Sequence, residues 1–308
     1  MRGAPCSPLQ SGRRRGSYAA GMELLAFPNV SEGRHEAALA AIRAGFQTGT
    51  GARVIDAHSD PDHHRTAFTL AGPAGALAGA VAAGAREVVT RVHLDEQGGG
   101  RGVHPFVGAL DVAAIVWPDE RRRGAACAEA LVLGDTLARD LGVPVFLYGA
   151  LAGGRTRAHM RRGGLPGLAR RMAAGDLRPD FGPPAPHPTA GVTLVAARPP
   201  LVAFNLEVDA TLEQAREVAA WIREGGPEGL PGLRALGLAL PGRRVVQVSC
   251  NVERPDLVAL ADVVSAVGRH VPVLEAELVG LAPRRALEGF PAGLPLHGRR
   301  VLEDQLLS

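Results

Sequence analysis

Lysine is absent from this chain, so arginine supplies every cationic side chain except histidine. We read that as genomic base composition and attach no mechanism to it. Cysteine is scarce: Cys6, Cys127 and Cys250 lie far apart and no pair has ligand spacing. That excludes a disulfide framework and a cysteine zinc site, and it fits the reduced cytoplasm. Aromatic residues make up only 4%, which leaves no stacking platform for nucleic acid. No apolar run reaches the roughly 18 residues that would span a bilayer, so no membrane segment is expected. The first residues also lack the apolar stretch of a secretory signal.

What is present is a globular chain of 308 residues, 46% hydrophobic, long enough for two domains of ordinary size. The pI of 9.1 points at first to nucleic acid. Yet four of the 34 basic residues (Arg2, Arg13, Arg14, Arg15) fall in residues 1–21, which contain no acid; the remainder balances the 31 acidic residues almost evenly. With neither a basic stripe nor aromatics, nucleic acid is not an expected partner. Residues 1–21 read as a disordered leader or as the product of a start codon placed too early, with Met22 as an alternative first residue; a transit peptide is also open.

Local patterns give an element order. Glu23–Phe27 reads as a strand stopped by Pro28-Asn29, and Arg34–Phe46 has helical spacing. Arg53–Ala57 is a second strand, ended by the turn-rich His58-Ser59-Asp60-Pro61-Asp62, and Arg65–Ala71 alternates as a third. Pro73 opens a helix over Ala74–Val89, and Ala109–Val116 is a fourth strand beyond a glycine-rich loop. The order is β-α-β-β-α-β, the split βαβ or ferredoxin-like arrangement. A helix over Glu120–Leu141 and a strand over Val143–Tyr148 follow. Residues 149–191, rich in arginine and then proline, read as a linker. Strands at Val192–Ala197, Leu201–Val208, Leu233–Leu240, Arg243–Asn251 and Val273–Leu281, with helices at Leu212–Glu224 (capped by Thr211) and Asp256–His270, repeat the same order after the first strand. The predicted fold class is α/β (α+β), two tandem ferredoxin-like domains over residues 22–185 and 186–300.

Phe27-Pro28-Asn29-Val30-Ser31-Glu32-Gly33-Arg34 resembles the "VPNFSEGR" start of glutamate formiminotransferase domains. His104-Pro105-Phe106-Val107-Gly108-Ala109-Leu110-Asp111 resembles that family's "HPRMGALD". Val143–Gly149, Pro179–Pro183, Val202–Asn205, Gln247–Ser249 and Leu278–Pro283 match further segments in family order. The resemblance covers nearly the whole chain apart from leader and tail. It implies two ferredoxin-like domains whose sheets face a folate-binding cleft, a homodimer, and transfer of a formimino (or formyl) group between formiminoglutamate and tetrahydrofolate in histidine degradation and one-carbon metabolism. A fused cyclodeaminase is not expected.

The chemistry requires a folate nitrogen to attack an amidine carbon and glutamate to leave as an amine. One proton must be removed and one supplied, work suited to a group titrating near neutrality. By resemblance His104 is that acid/base. Asp111 either orients a histidine or binds the substrate amine, or is a strand-end carboxylate bonded to backbone. Asn29, Ser31, Glu32 and Gly33 form a polar loop before a helix N-terminus that could hold a substrate carboxylate, with helix capping by Ser31 as the structural alternative. The resemblance maps substrate contacts onto His58, Asp60, His64, Arg65 and Thr66. It maps a folate strap onto Gly182, Pro183, Pro184, Ala185, Pro186, His187, Pro188, Thr189, Ala190 and Gly191. The arginines at 155–171 read as folate-carboxylate partners or, for most, a solvated helix face.

The chain departs from the family pattern at several positions. His58 replaces an acidic residue, which Asp60 or Asp62 could supply instead. His64 replaces the asparagine of "NRT", Val103 a glutamate, Phe106 an arginine and Ala190 a tryptophan. Phenylalanine at 106 cannot make the bidentate carboxylate clamp that arginine offers, so the sequence predicts altered use of formiminoglutamate and its improvement by Phe106→Arg. His58, Asp60, Asp62, His63 and His64 have residue types that suit zinc, but their spacing fits no established motif, and no metal is expected. The second functional reading is a folate- or metabolite-binding module with lost or altered transferase activity.

Overall fold

The computed structural model describes residues 23–49, 51–94, 103 and 105–307. The expectations for residues 1–21, for Met22 and for the side chain of His104 lie outside the described residues.

Strands β1 (Leu24–Val30), β2 (Arg53–Asp60), β3 (Arg65–Gly72) and β4 (Leu110–Val116), with helices α1 (Glu36–Phe46) and α2 (Leu77–Arg91), form the first β-α-β-β-α-β unit. They lie in the antiparallel order β2-β3-β1-β4. Helix α3 (Arg123–Leu141) returns the chain so that β5 (Val145–Leu147) and β6 (Thr193–Arg198) add to the same sheet, β6 parallel to β4 and to β5. The second unit repeats the topology with β7 (Val202–Val208), α6 (Leu212–Ile222), β8 (Leu233–Leu240), β9 (Val245–Val252), α7 (Leu260–Gly268) and β10 (Val273–Val279). Its sheet order is β8-β9-β7-β10, with the short β11 (Leu296–His297) parallel to β10 at the edge. The expected pair of tandem α+β units is present.

Several local expectations need correction. β1 runs through Pro28 instead of stopping there; the β1–β3 ladder is interrupted at Phe27 and Pro28, while Pro28 stays opposite Ala113 of β4. β2 continues to Asp60, so the turn falls at 61–64. Pro73 precedes a turn and its carbonyl accepts from the Ala76 N–H; α2 begins only at Leu77. The strand expected to open the second half is β6 of the first sheet. That sheet therefore runs to Arg198, past the expected boundary at 185/186. The expected linker contains α4 (Arg157–Arg161) and α5 (Gly164–Ala173). Thr211 caps α6 as expected, in a capping box with Gln214.

Helices α1, α2 and α3 cover one face of the first sheet over a core that includes the edge-to-face pair Phe46–Phe68, with ring centroids 5.1 Å apart. On the opposite face, Met160, Leu168 and Met172 of α4 and α5 pack over Val112, Phe146 and Leu194 at the β4–β6–β5 side. Leu281 and Leu302, with Leu306 of the C-terminal α8 (Leu302–Leu307), pack there too, against Leu25, Ala71 and Ala114. The second sheet keeps its own core between its strands and α6 and α7. Its helix-free face turns toward the β2–β3–β1 part of the first sheet, as the contacts of His58, Asp60 and His63 below record.

Candidate functional site

The site begins with a one-residue slip. β1 and β4 pair with Asn29 opposite Val112 but Val30 opposite Leu110, which leaves Asp111 as the extra residue of a bulge. A bulge re-aims a side chain that alternation would have sent elsewhere. Leu110 and Ala113 belong to the core under α1, α2 and α3, while the Asp111 carboxylate reaches Arg65, and Arg161 of α4, on the opposite face of the sheet. Asp111 is 0% exposed. Its Oδ1 accepts from the Val107 N–H at 2.8 Å. Its Oδ2 lies 3.2 Å from Arg65 Nη2 and also accepts from Arg161 Nη2. Arg65 Nε donates to Asn29 Oδ1 at 3.0 Å. Burial draws the Arg65 guanidinium down to about 10, against the opposing pull of Asp111 and with Arg161 and Arg157 adding to the depression. Asp111, Arg65 and Asn29, three expected site residues, are thus brought together.

Other expected contacts build the loop that supports this group. Ser31 does not cap α1: His35 does, its Nδ1 accepting from the Ala38 N–H at 3.2 Å. Ser31 Oγ donates to the Gly108 carbonyl at 2.7 Å, and Thr66 Oγ1 donates to the Glu32 carbonyl at 2.6 Å. Glu32 Oε1 accepts from the N–H groups of Arg34 (2.7 Å) and His35 (3.0 Å). Gly33 packs so closely on the β2–β3 turn that an added Cβ would stand 2.4 Å from the Asp60 carbonyl oxygen. Its N–H donates to His64 Nδ1 at 3.1 Å. His64 has φ +49, a left-handed conformation in which asparagine and histidine are both enriched. The exchange of asparagine for histidine therefore suits the backbone, and the ring bonds to the loop. Burial lowers the His64 pKa, with Glu32 opposing and Arg34 assisting.

The remaining residues of the acidic and histidine-rich turn join the two sheets. His58 Nε2 lies 3.5 Å from Glu277 Oε1. Asp60 Oδ1 accepts from the His63 N–H at 2.8 Å, and Oδ2 accepts from Arg243 Nη2 at 2.9 Å. Asp62 accepts from the Gly242 N–H at 3.1 Å, and His63 Nε2 stands 3.1 Å from Gln247 Oε1. Asp60 and Asp62 are therefore committed to Arg243 and the β8–β9 turn. Among the described residues no three histidine, cysteine or acidic side chains converge into a metal-holding group.

The proline strap divides into two parts. Gly182–Ala185 is exposed. Pro186, His187 and Pro188 line a groove of ≈ 570 Å³ with Phe106, Leu165 and Pro166. The strap then turns on His187, whose Nδ1 accepts from the Ala190 N–H at 3.1 Å. Burial, with the neighbouring His93, lowers the His187 pKa. Thr189 and Ala190 present carbonyls to the N–H groups of Leu94 and Ala109, both at 2.9 Å. Gly191 (φ +69) and Gly108 cross so tightly that a Cβ on Gly108 would stand 1.8 Å from the Val192 carbonyl oxygen. That crossing fixes the segment from Phe106 to Asp111 against the strap. Phe106 faces the apolar groove, and the guanidiniums sit at the other end of this segment, on Asp111.

Sequence reasoning assigned no individual role to Arg157, Arg161, Arg198 or Tyr148. The expected solvated face is not what α4 and its neighbours present. Arg155 pairs with Asp180 at 2.8 Å, and Arg171 donates to the carbonyls of His159, Met160 and Arg162. Arg157 Cζ stands 5.8 Å from the centre of the Tyr148 ring. The available signal was the i, i+4 spacing of Arg157 and Arg161 just after the capping Thr156, which sets both on one face.

A family model described as "Formiminotransferase domain, N-terminal subdomain" matches residues 24–198, a span that ends with β6 of the first sheet. The chain is 33% identical over 270 residues to a glutamate formimidoyltransferase of Streptococcus pyogenes serotype M1, covering 84% of this chain and 89% of that protein. It is 34% identical over 279 residues to the formimidoyltransferase-cyclodeaminase of Sus scrofa, of which it spans 50% of the length. A glutamate formimidoyltransferase of Thermoplasma acidophilum is 27% identical over 271 residues, covering 88% of that protein. Together with the doubled β-α-β-β-α-β topology and the Asp111 site, these matches establish that the chain belongs to the formiminotransferase family.

Proposed function

We propose that this family member transfers a formimino (or formyl) group from formiminoglutamate to tetrahydrofolate, within histidine degradation and one-carbon metabolism, as a cytoplasmic homodimer. The observation that carries the reading is the junction at residues 105–111: one short segment has an apolar groove at one end and a buried cationic cluster at the other. A flat pterin suits a groove walled by Phe106 and three strap residues, because rigid prolines lose little freedom when they bind. An acidic donor suits arginines held in place by a buried carboxylate. His104 directly precedes Pro105 in the sequence and is assigned the acid/base role on the family motif. It takes the proton released when the folate nitrogen bonds to the amidine carbon and returns it to the glutamate nitrogen as that carbon–nitrogen bond breaks. Asp111 positions Arg65 and Arg161 and the Val107 backbone.

The second reading, binding without transfer, is favoured by the commitment of His58 to Glu277 and by phenylalanine at 106. Titration with tetrahydrofolate followed by an assay with formiminoglutamate separates the two. Binding with turnover supports transfer, binding alone selects the second reading, and no folate binding removes both. In an active enzyme His104→Ala should lower the rate by about 10²–10⁴ with folate affinity unchanged; equal losses of rate and affinity would make the histidine structural.

A further inference from the structure

Two turns meet where the units face each other. The turn at 61–64 joins β2 to β3, and the turn at 241–244 joins β8 to β9. Among the described residues only two non-glycine residues have a positive φ, and each sits in one of these turns: His64 (φ +49) and Arg244 (φ +57). Left-handed backbone on a residue with a side chain is strained, and such strain gathers at clamps and switches. The first turn is braced on its own unit, by the Gly33 N–H on His64 Nδ1 and by Arg34 Nε, which donates to the Pro61 carbonyl at 2.9 Å. The second is braced by Arg243, whose Nη1 lies 3.3 Å from Glu207 Oε1 of β7. Each turn is therefore fixed to its own unit.

Between the turns the contacts are few and polar. Arg243 reaches Asp60 at 2.9 Å and Asp62 at 3.3 Å, and Asp62 Oδ1 accepts from the Gly242 N–H at 3.1 Å. The Arg243 side chain is 37% exposed, so water competes for both pairs. The other end of β2 is held differently. Arg300 pairs with the buried Asp56, and Ile55 beside it joins the apolar cluster in which Leu281, Leu302 and Leu306 pack on Leu25, Ala71 and Ala114. Val116 of the same cluster stands opposite Arg198 in the β4–β6 ladder, next to residues 199–201 that link β6 to β7. The units thus share a buried apolar contact near the link and a solvated ionic contact at the turns.

The ionic end lies beside the candidate site. Asp60 stands opposite Arg65 in the β2–β3 ladder, and Arg65 pairs with Asp111. The Val103 N–H donates to the Asp62 carbonyl at 3.1 Å, so the residue before His104 in the sequence hangs from the same turn. We propose that the turns at 61–64 and 241–244 are a gate to the Asp111 site. The units part at this end, about the apolar contact near the link, to admit and release ligand, and Arg243 draws them closed. The gate rests on the transferase reading only for the choice of tetrahydrofolate as the ligand admitted.

The test is hydrogen exchange of the full-length protein, read by mass spectrometry at the two turns. Arg243→Met alters the second unit alone, yet it should speed exchange about threefold to tenfold at His63, which is buried against Gln247 across the gap, as well as at Gly242, with α1 and α6 unchanged. Gly242→Ala is a wedge that removes no charge. Gly242 has no left-handed φ, and an added Cβ would collide with Asp62 Oδ1, so the methyl group pushes the turns apart. It should speed the same two positions, and it serves as the probe should circular dichroism show Arg243→Met to be unfolded. Faster exchange at His63 in either variant supports the gate. Wild-type exchange at His63 in both, with any change confined to 241–244, overturns it. Stopped-flow binding of tetrahydrofolate supplies the second reading: entry and exit should both quicken about threefold or more, with affinity changed less than either rate. Unchanged rates alongside faster exchange would mean that the turns part without admitting ligand, and the gate would fall. Absence of any folate binding would sink the transferase reading instead, and exchange at His63 would still decide whether the turns open.

Discussion

Asp111→Asn is the sharpest test of the bulge-centred site. The substitution preserves shape and leaves an oxygen for the Val107 N–H, now 2.8 Å from Oδ1. At the other branch it removes the buried charge that offsets both Arg65 and Arg161 and turns an amide N–H toward their guanidiniums. Removing one partner of a buried charge pair costs about 3–5 kcal/mol, far more than breaking an exposed pair. Asp111 is 0% exposed, so the upper class of effect applies. For a domain of this size about 2–4 °C of melting temperature accompanies each kcal/mol, which places the expected fall at about 6–20 °C. Thermal unfolding followed by circular dichroism at pH 7 reads it directly. Adding 1 M salt should recover little, because buried charges are poorly screened. Arg161→Met in the Asp111→Asn background should be less harmful than the two single effects summed, with a coupling of about 0.5–3 kcal/mol. A single variant that melts within about 1 °C of wild type would mean that the carboxylate bears no net load. The account of Arg65 and Arg161 as charges held in place by Asp111 would then fail.

Glu277 gives a pH signature. Burial alone would push its carboxyl up, but hydrogen bonds from His58 and Asn205 and the charges of His58 and Arg243 outweigh this and bring it to about 2. A depressed carboxyl contributes stability above its unfolded value of 4.5 that is lost as pH falls from there through about 2. Glu277→Gln should therefore flatten the acid limb of the stability curve across that window, and an unchanged limb would assign acid sensitivity elsewhere. Phe106→Arg should lower folate affinity by about tenfold, since it places a charge against the strap prolines; the opposite result, better use of formiminoglutamate at unchanged folate affinity, would restore the simple carboxylate-clamp expectation drawn from sequence. Deleting residues 1–21 should leave melting temperature and folate affinity unchanged, and a clear loss of either would show that the segment packs.

How far the sequence was legible depends on how local each determinant is. The strands over 65–71, 233–240 and 273–279 and the helix over 212–222 were readable because side-chain periodicity and the Thr211 cap are properties of the segment itself. β6 was assigned to the second half because nothing inside Thr193–Arg198 says which sheet will accept it; its parallel pairing with β4 is set by the α3 crossover and by a strand some eighty residues upstream. The motif 104–111 drew attention to Asp111, yet the direction of its side chain was hidden. Strict alternation would put it with Ala113 under the helices, and only the slip between Asn29 and Val30 turns it to the other face. A slip of one residue exists only between two strands and leaves no mark in either.

The arginines of 155–171 make the same point in reverse. As a composition they resembled a solvated face, because cations crowding a short segment usually are one. Their placement follows from Met160, which is fully buried against Tyr148 and Leu168 in the same apolar cluster. With Met160 buried, Arg157 and Arg161, one helical turn apart, cannot both face bulk water, and Asp111 meets the second of them. Arg161 therefore stands beside the segment whose Phe106 replaces the family arginine. A helix some fifty residues downstream thus brings a cation to this segment, at Asp111 and not at position 106. On the proposed transferase reading, an acidic donor would then meet its cations at Asp111 and not at position 106.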